Sequence, residues 1–366
     1  MKKELFDFSL SLVRLGIDRT DSIEIPQLSA AQWQSIEGIA NEHGLLGVML
    51  DGVEKLPHEF RPEKKAVIQS IGQVLQAEQQ YGVQEHAAAE LALLLHQHGI
   101  KTYVLKGAVV AECYPKPEHR RSVDMDCFLL PVEGEEDVWE RGNRVVEEAG
   151  FTVARGFYKN STFHLPGLGV ENHKFMTPFR GNARLRRLER LLQKMIAKDA
   201  GEDRFEGTWL YRPPVMVSAL FLVEHAYSHF LHEGLTWRHI LDWQLFSRRH
   251  KDEINWTSFE EYIDEFGFRK FYVSYCRLGE YLVGDLAYDG LQSIDRLMLA
   301  DAWAPLDLHE SMHGLKAKFQ LAGNYWRARW KFRHFTDMTW VRALVEWVVG
   351  AVFDRHPTLD KRVRPL

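Results

Sequence analysis

A chain of 366 residues with 45% hydrophobic and 27% charged residues has the apolar content for a packed core, and its length suggests about two domains. Its 46 Lys+Arg against 51 Asp+Glu, net −5, argue against general nucleic-acid coating but leave room for a local basic face. Three cysteines, Cys113, Cys127 and Cys276, match neither a disulfide framework nor a paired-cysteine zinc site, so a reducing, cytoplasmic setting is expected. Cys113 and Cys127 sit in apolar runs and read as small core residues.

The N-terminus begins basic but soon meets Glu4, Asp7, Arg14 and Asp18, so it does not read as a secretory signal. From Ser29 to Gly99 the apolar spacing is helical. Ser29 caps a helix that Gly44 ends. Val67–His98 predicts a long helix, strongly apolar near Leu91–Leu95, with Gly72 and Gly82 as points where it could break.

The pattern changes at Lys101. Thr102–Leu105 predicts a strand, and Ala108–Tyr114 a short helix ended by Pro115 and Pro117. Val123–Leu130 predicts a strand that turns continuously apolar, as a buried central strand does. Glu133–Ala149 reads as a charged helix. Strands follow at Phe151–Tyr158, Thr162–Leu165 and Val170–Phe175, with turns at Lys159-Asn160-Ser161 and Pro166-Gly167-Leu168-Gly169.

After Arg180 the helical period returns. Leu185, Leu188, Leu192 and Met195 stripe one helix. Its Arg184, Arg186, Arg187, Arg190, Lys194 and Lys198 form either a solvated face or a positive wall for a triphosphate or polyanionic acceptor. Pro213–Arg248, Ser258–Phe266, Arg269–Val283 and most of Ser311–Phe353 also read as helical. The apolar run Trp340–Phe353, interrupted by Arg342 and Glu346, is too short for an ordinary transmembrane helix and reads as a docked amphipathic one. The expectation is an α+β chain: an N-terminal helical segment (1–99), a small mixed sheet (100–180) and a C-terminal helical domain (181–366).

The chemistry concentrates in Val104–Leu130. Asp124 and Asp126 lie two apart on a strand, so both carboxylates point to one face, where a hard divalent cation could sit. Burying two like charges without a cation or basic partner is costly. Salt bridges to Arg120 or Arg121 are the alternative. Lys106 and Gly107 end the preceding strand, where an ammonium and a backbone N–H can meet phosphate. A third carboxylate is expected from Glu171, on the same strand face as His173, which could orient a carboxylate. Arg120 could contact phosphate or pair with the aspartates. His225 and His229 share a helical face, but Ala226 follows the first histidine where a zinc protease needs Glu. Packing or substrate-side hydrogen bonds are expected there.

Leu105-Lys106-Gly107, Tyr114-Pro115, and Arg120 four residues before Asp124-x-Asp126 resemble the uncharacterised nucleotidyltransferase family of the polymerase-β-like superfamily. Glu171-Asn172-His173 resembles its acidic-x-His strand. His225-Ala226-Tyr227-Ser228-His229, Trp237 and Leu241-Asp242-Trp243 resemble its helical segment. The resemblance spans roughly residues 30–260. It implies a nucleotidyltransferase-like sheet and Mg²⁺, or Mn²⁺, held by Asp124, Asp126 and Glu171. It also implies an NTP donor, with ATP expected, and phosphate held by Lys106, Gly107 and Arg120. The Lys106-Gly107 turn departs from the superfamily's usual Gly-Ser. Activity is then expected to move a nucleoside monophosphate to a hydroxyl on a small molecule, protein or RNA. The alternatives are an inactive nucleotide-binding regulator or scaffold and, further off, a helical interaction protein whose acidic pair is structural.

Overall fold

The computed structural model describes residues 2–19, 25–134, 137–155, 158–179, 182–199, 201, 203–303, 323–337, 339–342 and 344–345. Four helices lead the chain: α1 (Lys2–Gly16), α2 (Ala30–Glu42), α3 (Leu46–Glu54) and α4 (Lys64–Gln97). Ser29 caps α2 in a full capping box with Gln32, which satisfies two otherwise orphaned donors. Gly44, at φ +69°, turns the chain out of that helix. α4 runs unbroken through Gly72 and Gly82. An added Cβ at either would meet nothing within 4 Å, so no close approach requires either glycine. α1 and α3 fall within the helical segment expected for residues 1–99, although neither was delimited there. They cross closely because a side chain at Gly16 or Gly52 would strike the partner helix backbone at Val48 or Leu12.

The five-stranded sheet has the order β3-β4-β2-β1-β5, with β1 (Ile100–Val104), β2 (Asp124–Pro131), β3 (Asn160–Leu165), β4 (Leu168–His173) and β5 (Leu210–Tyr211). β1 pairs antiparallel with β2, placing Val104 opposite Cys127. β2 pairs parallel with β4, placing Asp126 opposite Glu171. The loop between β1 and β2 holds the single-turn helix α5 (Ala108–Ala111), shorter than the helix expected to Tyr114. The predicted strand Phe151–Tyr158 is not formed: in its described part only Ala154 bridges, to Thr162. Asn160 and Ser161, expected in a turn, belong to β3. β5, unforeseen, closes the far edge beside β1.

Helix α6 (Trp139–Glu148) covers the back of the sheet. Its Asn143 Oδ1 accepts from Ser161 Oγ at 2.7 Å and Asn172 Nδ2 at 2.9 Å. The front is covered by α8 (Val215–His232), followed by α9 (Trp237–Arg249). The expected single helix Pro213–Arg248 is broken between these two. Gly234 at φ +91° makes the turn, and Thr236 starts α9 with a capping box to His239. Helices α7 (Ala183–Ala197), α10 (Trp256–Glu265), α11 (Arg269–Val283), α12 (Ser293–Trp303) and α13 (Arg329–Phe335) also belong to the bundle.

One apolar core runs from Leu91 and Leu95 through Val110, Cys127 and Leu129 to Phe221 and Trp243. Each such side chain, fully buried, contributes about 1.5–3 kcal/mol. A smaller core of Phe8, Trp33, Ile36 and Met49 lies among α1–α3. Arg14 of α1 donates to the Tyr281 and Leu282 carbonyls at 2.6 and 3.1 Å, capping the end of α11. Most of Trp340–Phe353 lies outside the described residues. On α7, Arg184 pairs with Asp337 at 2.6 Å and Arg187 with Glu265 at 3.3 Å, all four side chains about half exposed or more. These two arginines of the basic run therefore lie on a solvated face.

Candidate active site

Strand register builds the site. Asp124 and Asp126 leave β2 on its front face, and Glu171 and His173 leave β4 on the same face because parallel partners align. The nearest ligand atoms of Asp126, Glu171 and His173 all lie within 4.8 Å of one another. Asp124 stands two residues earlier, lining a cavity of about 420 Å³ with Lys106, Gly107 and Tyr81. That volume is within the range of small-molecule sites, about 300–1,000 Å³. A second cavity, about 530 Å³, meets it at Tyr81, Gln84 and Ser122.

Lys106 crosses the front of the sheet. Its Nζ lies 3.3 Å from Asp126 Oδ2 and 2.7 Å from His225 Nε2 on α8. Gly107, the next residue, has φ +70° and ψ −104°, a conformation that L side chains rarely adopt. Gly107 therefore lets the chain turn beside Ser122 and the Asp124 carbonyl, which lie 3.4 and 3.7 Å from where its Cβ would be, and the Asp124 carbonyl accepts from Ser122 Oγ at 3.2 Å.

The aligned acidic strand and Lys-Gly turn lie inside residues 29–284, which match the family model described as uncharacterised nucleotidyltransferase. The chain belongs to the uncharacterised nucleotidyltransferase family. It is accordingly a transferase by class, and an NTP is the substrate that class implies. Neither the curated proteins nor the solved structures gave a match. Among the described residues no helix is long and apolar enough to cross a membrane.

The electrostatics divide the nucleotidyltransferase carboxylates. Burial pushes the Asp126 carboxyl up, but Lys106 and His173 outweigh it and hold the group well below the usual range. Asp124 goes the other way: burial, then the Asp126 charge, raises it against the pull of Lys106. Glu171 is lowered by its hydrogen bond with His173 despite burial, and accepts from Asn160 Nδ2 at 2.6 Å. His173 Nε2 lies 3.0 Å from Asp126 Oδ1, and its Nδ1 lies 3.2 Å from the Phe175 carbonyl. With acceptors facing both nitrogens, the protonated ring is favoured. Burial and Lys159 oppose this, but the bonds to Asp126 and Glu171 prevail and its pKa is raised.

The donor set fits a hard divalent cation. Asp126 Oδ2 is buried, makes no hydrogen bond and faces the Lys106 ammonium at 3.3 Å, a charge that an arriving cation would replace. The bond from His173 Nδ1 to a carbonyl also orients Nε2 toward the acidic cluster. Asp124 lies outside the tightest three-residue group and approaches from the cavity side.

Arg120 requires a correction. Its Nε and Nη2 donate to both oxygens of Asp242 on α9, at 2.8 and 2.7 Å, in a pair about 2–3% exposed. Nη1 is buried without a partner. The guanidinium is thus committed to the core and does not reach a phosphate in the cavity; the alternative pairing with Asp124 or Asp126 is not made either. Tyr114 Oη donates to the same carboxylate at 2.8 Å. Tyr114, Arg120 and Asp242, three residues of the family's motifs of which only Arg120 was expected at the site, form a buried staple joining the β1–β2 loop to α9.

Beside His225, α8 carries Glu224, 1% exposed and accepting from Ser228 Oγ at 2.8 Å. Burial pushes its carboxyl from 4.5 to about 7. The folded form therefore binds the extra proton between those values, and its contribution to stability falls as pH rises from about 4.5 to 7. Glu224→Gln is expected to remove up to about 3 kcal/mol of that pH dependence and to raise the melting temperature most above pH 7, as thermal melts across pH would read. An unchanged pH profile would contradict it.

Proposed function

We propose that this protein transfers a nucleoside monophosphate from an NTP, with ATP the favoured donor, to a hydroxyl acceptor, using Mg²⁺ or Mn²⁺ held by Asp124, Asp126 and Glu171. The observation that carries the reading is the alignment of Asp126 with Glu171 on parallel strands, faced by Lys106. When bound, the cation would neutralise phosphate charge and sharpen the acceptor as a nucleophile. The chain's own residues supply the rest. Lys106 moves its charge from Asp126 to the departing pyrophosphate. The Gly107 turn leaves space for phosphate beside its backbone. Glu171, on the more open side of the cluster, takes the acceptor proton, and His173 keeps Asp126 and Glu171 in place. The acceptor oxygen bonds to the α-phosphorus, the bond to the β-phosphate bridge breaks, and pyrophosphate leaves with its electron pair. A small molecule, a protein side chain or an RNA end would each serve as acceptor.

A second reading, nucleotide binding without transfer, has one observation behind it. His173 Nε2, 3.0 Å from Asp126 Oδ1 and 3.5 Å from Glu171 Oε2, already occupies part of the acidic cluster, so it competes with a metal. The test is to incubate the protein with Mg²⁺, α- or γ-labelled NTP and fractionated cell extract. Transfer of α-label with pyrophosphate release supports the proposal. Transfer of γ-label shows phosphoryl transfer instead, and nucleotide binding with neither favours the regulatory reading.

A further inference from the structure

Beyond the acidic cluster, α8 and α9 bring three histidines to one point. His225, His229 and His239 each offer a ring nitrogen, and these atoms lie within 4.8 Å of one another. The first two share a face of α8 by their four-residue spacing. The third comes from the first turn of α9, whose start is fixed by the Thr236 capping box. The ring centroids are 4.4, 4.8 and 6.1 Å apart. Three imidazoles on a tetrahedral zinc ion, with Zn–N about 2.0–2.1 Å, would hold their centroids about 5 Å apart. Small ring rotations therefore separate the observed arrangement from a ligand set.

We propose that His225, His229 and His239 bind a Zn²⁺-class transition-metal ion through three imidazole nitrogens, leaving a fourth position open. The surroundings support it. His229 Nδ1 lies 2.7 Å from Glu233 Oε2, and a carboxylate on the outer nitrogen is the partner that orients a metal-ligating histidine. His239 Nδ1 accepts the Thr236 backbone N–H at 3.2 Å in the capping box, so ligation through Nε2 requires the ring proton to move to Nδ1, where Thr236 Oγ1 at 3.2 Å can accept it. The donor chemistry separates this site from its neighbour: imidazole nitrogens select zinc-like ions, whereas carboxylate oxygens suit magnesium.

Lys106 is the competing cation. Its Nζ holds His225 Nε2 at 2.7 Å, with Asp126 Oδ2 as its other partner. An ion among the histidines favours withdrawal of the ammonium toward Asp126, so one lysine couples the two sites. The inference does not rest on the nucleotidyl-transfer reading, and its test needs no nucleotide.

The full chain, stripped with chelator and dialysed, is titrated with Co²⁺ as a visible probe and then with Zn²⁺. One equivalent should bind at low-micromolar concentration with the intense bands of a four-coordinate site, yield to Zn²⁺ and resist excess Mg²⁺. His229→Ala should abolish the bands while circular dichroism reports an intact fold. Glu233→Gln should keep them but weaken binding roughly 10–100-fold, which tests the site even if the first variant misfolds. Lys106→Met should tighten binding. Absence of saturable Co²⁺ binding to wild type, or wild-type affinity in both His229→Ala and Glu233→Gln, overturns the proposal. So does loss of the bands in Glu171→Gln with the histidines intact, which would place the ion in the acidic cluster.

Discussion

Asp124→Asn is expected to slow nucleotidyl transfer about a thousandfold while raising the melting temperature of the metal-free protein. The two effects have one cause. In the folded chain the Asp124 carboxyl is pushed up by burial and by the charges of Asp126 and Glu171, with Lys106 only partly compensating. Its ionised form therefore costs stability, and that cost grows as pH rises through the raised pKa. A cation would convert the cost into binding. Asn keeps the shape and removes the charge, so the metal-free fold is relieved and the site is lost. Forfeiting the several kcal/mol that a metal-held charge supplies, about 4 kcal/mol, slows transfer roughly a thousandfold.

Asp126→Asn should behave differently. Lys106 and His173 hold that carboxylate well below its usual range, so it contributes stability present above the ordinary carboxylate pKa and lost as pH falls through the depressed one. Its replacement should lower both activity and melting temperature. Labelled-NTP transfer and thermal melts in chelator separate the two variants. Wild-type turnover in Asp124→Asn would falsify the assignment of that residue.

Arg120→Ala should unfold the protein rather than merely weaken nucleotide binding. The guanidinium and the Asp242 carboxylate are paired at both oxygens and buried together. Removing one partner strands the other charge, a cost of about 3–5 kcal/mol. Arg120→Lys is not conservative here, since a point charge cannot match both oxygens. Denaturant unfolding should show the loss for either change, and the folded fraction of Arg120→Lys should keep its nucleotide affinity. A stable Arg120→Ala protein with weakened NTP binding would return the residue to the phosphate site.

The legible parts of this molecule were those encoded locally. The i, i+2 spacing of Asp124 and Asp126 fixed a shared strand face, and the same parity put Glu171 with His173. The cap at Ser29 and the helix Arg269–Val283 followed from short-range signals. What escaped depends on distance along the chain or on missing pattern. Lys106 meets His225 across 119 residues and Arg120 meets Asp242 across 122, and no local rule announces either partner. β5 has two residues, too few for alternation to register. Phe151–Tyr158 has a strand's composition, yet in its described part only Ala154 bridges, to Thr162. The break between α8 and α9 was signalled by Gly234 and Thr236, but the flanking apolar periodicity masked it.

The most direct measurement is calorimetric titration of a non-hydrolysable NTP with Mg²⁺ into wild type and into the Asp124→Ala/Asp126→Ala double variant. The account predicts saturable, metal-dependent binding to wild type that the folded double variant lacks. No binding to folded wild type, or equal binding to both proteins, would contradict it.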